Sequence, residues 1–543
     1  MLKTACHKLA NVLLKPFREH FLFLIAFFFL ATSPYFFWHP ISTWGFNIYV
    51  ISLAIHCFAL SYFVTLIVSI IHPTTLRKVV QGILVVLAAV LFAVNFYCNF
   101  VLDFLFDSDI AMLILGTDIH ETKEFASAML PTWIILAVLG IYLFFIILWW
   151  LSKHHQLNLG KKASWVALGL LCFCTVHTLR NWRAWDDGPL RLIEELSHIE
   201  STDNLQSHYT HPAITIVDET QKPANVVLII GESFSRSHSS LYSYDKPTNP
   251  VMGAYRDSSL LFTFDDIDAP APTTAQSLRF MLSTYSQADD SATNPKKWYE
   301  YTTIIELMQD CGFDCYWFSN QARGNKHNST ARAFAEACNK YWFLQQEGSD
   351  RYNVMPDMVL VDSSYQFVNQ LDPHGYNFII YHMMGSHYDF GMRYPKEFAK
   401  FSEKDYPNEP ENHRTILAAY DNSILYNDYV VCKIIDLYRT NDAIIIYVPD
   451  HGQVMYRDSR YPDYYAHGKM DDKIRYALGV EIPFMIYASP SFQQKHPEVM
   501  QRIKYRQDHP KAWNTDDLPY LIMDLIGVKD VNGENVGSKS NLN

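Results

Sequence analysis

Charged residues are scarce in the first third of this 543-residue chain, which is aromatic and aliphatic, while most of the acids fall later. That imbalance argues against one uniform globular domain and implies at least two parts. The net charge of −12 comes with no basic patch, so nothing points to a nucleic-acid partner. Cysteine is sparse as well: Cys311-x-x-x-Cys315 has no second matching pair, which argues against a four-thiolate metal site. There is no internal repeat and no low-complexity tract, so neither a solenoid nor a long disordered segment is expected. The N-terminal apolar run lacks a convincing small-residue cleavage site and reads as a retained helix rather than a signal peptide.

What the first third does contain is a series of long apolar runs, at 21–38, 46–71, 79–100, 131–151 and 163–179. Each approaches the roughly 20 residues that a bilayer crossing needs. Lys3, Lys8, Lys15 and Arg18 precede the first run, Arg77 and Lys78 follow the second, and Lys153, Lys161 and Lys162 follow the fourth. The alternate loops are poor in such residues: 39–45 has none, and the loop after the third run has only Lys123. By the positive-inside rule the N-terminus is cytoplasmic, and an odd number of crossings places everything after 179 outside. In a Gram-negative cell that compartment is the periplasm. Cys6, Cys57, Cys98, Cys172 and Cys174 then read as small apolar fillers of the membrane region. Cys311, Cys315, Cys338 and Cys432 lie where disulfides can form, with three full pairings open.

The expected organisation is a transmembrane domain at 1–179, a linker at 180–211 and an outer domain at 212–543. Residues 180–200 have the pattern of an amphipathic helix, with Trp182 and Trp185 suited to a membrane–water interface or to packing on the outer domain. The outer domain alternates strand-like runs (226–230, 313–318, 378–381, 443–448, 483–487) with helical patterns (275–283, 303–309, 329–336, 362–370, 415–438). This predicts an α/β fold around a central, mostly parallel sheet, with ligands bound beyond the carboxyl ends of the strands.

Polar groups follow the strand ends repeatedly. Gly231-Glu232-Ser233 follows one apolar run, Pro449-Asp450-His451-Gly452 another, and Pro272-Thr273-Thr274 opens a helical pattern. A buried Glu232 is expensive unless paired or metal-bound, although a carboxylate at a helix N-terminus is the plainer alternative. Asp450 and His451 supply the oxygen and nitrogen ligands that zinc takes readily. Thr273 and Thr274 suit N-capping, and a hydroxyl at a helix N-terminus also suits a nucleophile facing a phosphoryl group. His387 and His467 lie in loops, where phosphate binding, proton transfer or a second metal is open to them. Lys326 and the Ser319-Asn320-Gln321 cluster offer donors to phosphate oxygens, with a plain polar loop as the alternative.

Taken together, these motifs and their order resemble bacterial phosphoethanolamine transferases, inner-membrane enzymes of the alkaline phosphatase and sulfatase superfamily. The resemblance rests on Gly231-Glu232-Ser233, Thr274-Ala275-x-Ser277, Gly385-Ser386-His387, Tyr420-Asp421-Asn422-Ser423-Ile424-Leu425-Tyr426, Asp450-His451-Gly452 and Ala466-His467-Gly468. The stretch from Glu232 to His238, continuing through Tyr244 to Pro250, looks most like the branch acting on the lipopolysaccharide core.

The resemblance implies a five-helix transmembrane domain followed by an alkaline-phosphatase-like domain. It further implies zinc held by Glu232, Thr274, Asp450 and His451, with Thr274 as nucleophile. His387 and His467 would hold the phosphoethanolamine group or a second zinc. Thr117 and Glu121 match the spacing of a substrate-binding loop, although Leu113 stands where relatives have asparagine. Pro270 and Phe280 occupy the neighbourhood where lipid A-modifying relatives often carry a cysteine pair. The implied reaction moves phosphoethanolamine from phosphatidylethanolamine to lipopolysaccharide, at a core heptose or a lipid A phosphate. A phosphoglycerol transferase using phosphatidylglycerol and a catalytically silent lipopolysaccharide-binding sensor are the alternatives. A plain sulfatase is disfavoured by the missing Cys-x-Pro-x-Arg motif.

Overall fold

The computed structural model describes residues 2–36, 44–98, 100, 130, 132–155, 158–180, 214–216, 222–291, 297–323, 330–345, 355–372, 374–457 and 473–530. They belong to two compact units, one helical and one α/β. In the helical unit, helices cover all five apolar runs: α2 (Phe21–Phe36), α3 (Trp44–Ile70), α4 (Thr74–Tyr97), α5 (Thr132–His155) and α6 (Lys161–Arg180). Among the described residues α4 is the helix long and apolar enough to cross a membrane. It buries Ala88, Phe92, Asn95 and Phe96 on one stripe while Ile83, Val86, Leu87 and Val90 stay exposed. A helix that is apolar on its outer face as well needs an apolar surrounding there.

One element was not anticipated. The basic stretch before the first apolar run forms α1 (Leu2–Arg18), whose Phe17 packs with Leu24, Ala59, Tyr62 and Leu171. The Tyr62 hydroxyl donates to the Leu13 carbonyl at 2.6 Å and anchors it further. Its basic residues had marked it only as a cytoplasmic flank.

The α/β unit is built on seven strands: β1 (Asn225–Gly231), β2 (Leu261–Phe264), β3 (Asp314–Ser319), β4 (Lys340–Phe343), β5 (Asn377–His382), β6 (Ala443–Pro449) and β7 (Phe484–Ala488). They lie in the order β2-β7-β6-β1-β5-β3-β4. The five from β6 to β4 are parallel, and β7 runs antiparallel to both β6 and β2. The sheet is therefore mixed, with the expected parallel centre and an antiparallel margin. All five predicted strands are present. β2 and β4 were missed because they are four-residue edge strands, too short to show a period.

The centre of the sheet is buried on both faces, which is why β1 and β6 read as unbroken apolar runs. Val226, Leu228 and Ile230 enter one core; Val227 and Ile229 enter the other. Each such side chain contributes roughly 1.5–3 kcal/mol of burial free energy. The second core is covered by the long helix α12 (Glu411–Tyr438), which buries Tyr420, Ile424, Val430 and Ile434 beside polar Asp421, Asn422 and Asp428. Other helices include α7 (Pro250–Asp257), α8 (Thr274–Met281), α9 (Ile304–Asp310), α10 (Thr330–Ala337) and α11 (Met358–Val368). Cys311, Cys315, Cys338 and Cys432 are all buried free thiols, so none of the possible disulfide pairings is formed.

Asp428 shows how polar groups on α12 tie the loops down. Its carboxylate oxygens accept from the N–H groups of Val251 and Met252, each at 2.9 Å, in the first turn of α7. Burial pushes its pKa up to about 7 against those two bonds. An acid whose folded pKa is raised contributes stability that is present below its unfolded value and lost as pH rises through the folded one. Wild-type stability relative to Asp428→Asn is thus expected to fall as pH rises from 3.8 to about 7, readable as the difference in Tm across that window. Asp428→Ala, which strands one buried and one half-buried donor, is expected to cost about 1–3 kcal/mol.

Candidate active site

Register brings the chemistry together. Ile230 pairs with His382 on one side and with Val448 on the other, Gly231 pairs with Pro449, and Ser319 pairs with His382. The carboxyl ends of β1, β3, β5 and β6 are therefore level, and the residues just beyond them share one rim.

Three glycines make the rim possible. A Cβ at Gly231 would lie 2.5 Å from the Tyr447 hydroxyl, one at Gly385 would lie 2.8 Å from the Glu232 nitrogen, and one at Gly452 would lie 2.7 Å from the Glu481 carbonyl. Gly385 also has φ +48°, where glycine carries no steric penalty.

Glu232 is 1 % exposed and both its carboxylate oxygens are engaged. Oε1 accepts from Ser233 Oγ at 2.6 Å and faces His451 Nε2 at 3.3 Å. Oε2 accepts from Thr274 Oγ1 at 3.1 Å and from Gln321 Nε2 at 3.0 Å. Thr274 is the first residue of α8, so its hydroxyl stands at the positive end of that helix. Thr273 is the N-cap residue, but its hydroxyl bonds the Gln276 side chain rather than a backbone N–H. Asp450 Oδ1 accepts from the Ser233 and His451 N–H groups at 3.1 and 2.7 Å, while the buried Oδ2 has no hydrogen-bond donor. His451 Nδ1 lies 2.7 Å from the Gly452 carbonyl, and that bond assigns the proton to Nδ1. Nε2 faces the two carboxylates at 3.3 and 3.7 Å, and it is the nitrogen that a cation would take in place of its proton.

The electrostatics follow from crowding two carboxylates in a dry pocket. Burial works to raise Glu232, yet the hydrogen bond and charge of His451 hold it well below the usual carboxylate range. Asp450 goes the other way, to about 8, through burial and then the charge of Glu232. Burial would lower His451, but the two carboxylates lift it to about 9. The candidate ligand atoms of Glu232, Asp450 and His451 all lie within 4.8 Å of one another. Carboxylate oxygens of Glu232 and Asp450, the latter with its Oδ2 orphaned, an imidazole nitrogen and an adjacent hydroxyl fit a divalent cation of the zinc type, whose charge would offset the repulsion.

Around this set, His387 is half-buried, with its Nδ1 buried and unpartnered, and desolvation lowers its pKa to about 4 despite the charge of Glu232. It is therefore neutral at pH 7. His382 closes β5 with Nδ1 3.2 Å from Ser319 Oγ and Nε2 buried without a partner, and burial lowers it to about 4 as well. Sequence reasoning gave His382 no role, because it falls just past the run read as a strand at 378–381 and before the Gly385-Ser386-His387 motif that drew the attention.

Asn320 is fully buried and bonds the Met355 carbonyl and Asp357, each at 2.8 Å. Its neighbour Gln321 is the residue of that cluster whose amide reaches Glu232. Asp357, which no sequence signal marked, also accepts from the Met384 and Gly385 N–H groups and so shapes the turn before His387. Thr117, Glu121, Lys326 and His467 lie outside the described residues.

A level sheet rim carrying buried carboxylates, an imidazole and a hydroxyl at a helix N-terminus is the arrangement that the resemblance to the alkaline phosphatase and sulfatase superfamily implied. The chain belongs to the sulfatase family, whose profile matches residues 224–528. It is 26% identical over 324 residues to phosphoethanolamine transferase EptC of Escherichia coli, a stretch covering 58% of this chain and 53% of that protein. The chain thus spans about half the length of that curated relative. The zinc complex of the periplasmic domain of E. coli EptC superposes with a TM-score of 0.52 at 24% identity, covering 61% of this chain and 91% of that one. The integral membrane lipooligosaccharide phosphoethanolamine transferase EptA of Neisseria meningitidis gives a TM-score of 0.64 at 17% identity, over 96% of this chain and 98% of that one. The resemblance carried by the sequence motifs is borne out by these relatives.

Metal analysis of the purified full-length protein gives a direct check of the ligand set. Glu232→Ala, Asp450→Asn and His451→Ala are each expected to lose bound zinc, with affinity reduced about a hundredfold or more. His387→Ala is expected to retain it.

Proposed function

We propose that this protein is a zinc-dependent transferase that moves phosphoethanolamine from phosphatidylethanolamine to lipopolysaccharide. The observation that supports the reading best is the position of Thr274: its hydroxyl is 3.1 Å from Glu232 Oε2, at the start of a helix and beside the metal-type ligand set. The names of the EptC and EptA relatives supply the transferred group and the class of acceptor. Five membrane crossings, a cytoplasmic N-terminus and a periplasmic catalytic domain beginning near 212 belong to the same proposal.

Zinc held by Glu232, Thr274, Asp450 and His451 would lower the pKa of the hydroxyl and offset charge on the phosphoryl oxygens. Thr274 Oγ1 attacks the phosphorus of the lipid, the bond from phosphorus to the diacylglycerol oxygen breaks, and diacylglycerol leaves with a proton. The chain then carries a phosphoethanolamine ester on Thr274, the covalent intermediate of a ping-pong cycle. An oxygen of the acceptor attacks the same phosphorus, the bond from phosphorus to Thr274 Oγ1 breaks, and the acceptor's proton passes to Thr274 to restore its hydroxyl. The start of α8 at Thr274 favours negative charge on the transferred group through the helix dipole. His387 is neutral at pH 7 and its Nδ1 lacks a partner, which suits it to accept the acceptor's proton or to bind the ethanolamine phosphate. His467 is assigned a similar role, and Lys326, Asn320, Thr117 and Glu121 are the remaining proposed substrate contacts.

The test is intact-protein mass spectrometry after incubation with phosphatidylethanolamine, beside Thr274→Ala and Thr273→Ala. A phosphoethanolamine adduct absent only from Thr274→Ala is the expected result. An adduct formed from phosphatidylglycerol instead would replace the reading with phosphoglycerol transfer. No adduct from either lipid, together with no bound zinc, would favour a catalytically silent sensor.

A further inference from the structure

Ser233, immediately after the proposed ligand Glu232, has φ +57°, a left-handed conformation in which a serine is strained. Such a residue persists where its surroundings over-determine it. Here the peptide groups on both sides are held. The Ser233 N–H donates to Asp450 Oδ1 at 3.1 Å. The Ser233 carbonyl accepts from the Tyr420 hydroxyl at 2.7 Å, and that same hydroxyl accepts from the Ser235 N–H at 2.9 Å.

Tyr420 is itself well placed to act as a clamp. It is fully buried on α12, with the rings of Phe390 and His238 set edge-on to it at 4.8 and 5.0 Å. Burial pushes its phenol well above the ordinary range, so the hydroxyl keeps the proton it donates. The next residue, Asp421, accepts from His238 Nδ1 and the Tyr244 hydroxyl, each at 2.7 Å, and so pins the far end of the same loop. One phenol oxygen therefore closes residues 233–235 into a fixed turn whose first side is Glu232.

We propose that Tyr420 is a positioning residue for the metal site: its hydroxyl holds Ser233 in the left-handed conformation and thereby sets the affinity of Glu232, Asp450 and His451 for a divalent cation. The inference rests on the zinc reading of the site and adds to it a residue that touches neither metal nor substrate. Loss of an outer-shell hydrogen bond of this kind lowers metal affinity by about ten- to a hundredfold in general.

The experiment measures zinc affinity of the full chain in detergent by competition with a chromophoric chelator, with Tm recorded alongside. Tyr420→Phe keeps the ring and removes the hydroxyl, and it is expected to weaken zinc binding about tenfold. The same substitution is then made in S233A and S233G backgrounds. Both delete the Ser233 Oγ contact to Glu232, but only S233G makes a positive φ easy. The Y420F loss is expected to persist in S233A and to shrink below about threefold in S233G. Should Y420F fold only when combined with S233G, the same coupling is read in Tm and supports the clamp. Failure of Y420F to fold in both backgrounds overturns it. Unchanged zinc affinity in Y420F with a lowered Tm would show a purely structural tyrosine, and equal losses in both backgrounds would also overturn the proposal. A wild-type chain that binds no zinc would sink the metal reading itself, and the inference with it.

Discussion

The buried carboxylate of Glu232 accepts from Ser233, Thr274 and Gln321 and faces the imidazole of His451, with a second carboxylate on Asp450 in the same pocket. Two negative groups this close, both out of water, repel each other and resist ionisation together. Everything near them can be read as compensation: hydrogen-bond donors on one side, an imidazole between, and room for a cation. The opposite directions of the Glu232 and Asp450 shifts express that conflict. A divalent ion would resolve it and would draw the Thr274 hydroxyl into the same field.

The sheet makes such a costly arrangement rigid. Because β1 sits between β5 and β6 in exact parallel pairing, the chain leaves three neighbouring strands at one level and delivers Glu232, Asp450 and the His387 turn to one rim. Close packing then removes freedom from the backbone: Gly231, Gly385 and Gly452 each stand where a side chain would collide. The hydrogen bonds that Tyr420 donates and accepts, and those that Asp357 accepts, hold the turns that carry the ligands. A soft loop would let two like charges drift apart; this one cannot.

Much of the site was legible because strand ends, turn residues and reactive groups fall together in the sequence. Glu232, Thr274, Asp450 and His451 each follow an apolar run or open a helical pattern, and the structure brings all four together. Asn320 and Gln321 show the limit. Adjacent residues in a strand exit face different ways, so one amide is absorbed by Asp357 while the other reaches Glu232, and composition does not say which. Asp357 carried no signal, and Tyr420 stood in a recognised motif without a role, for a related reason: their value comes from partners 27 and 187 residues away.

By itself the sequence determined the local chemistry: a series of apolar runs that become helices, a parallel sheet centre read from buried strands, and reactive groups at strand ends. These depend on periodicity and on neighbours in the chain, which a single sequence displays. Only the tertiary structure decided the antiparallel margin of the sheet, the four cysteines remaining as free thiols, and the clamp on Ser233. Those depend on which surfaces meet after the chain has folded, and burial, close packing and long-range hydrogen bonds act only once they have met.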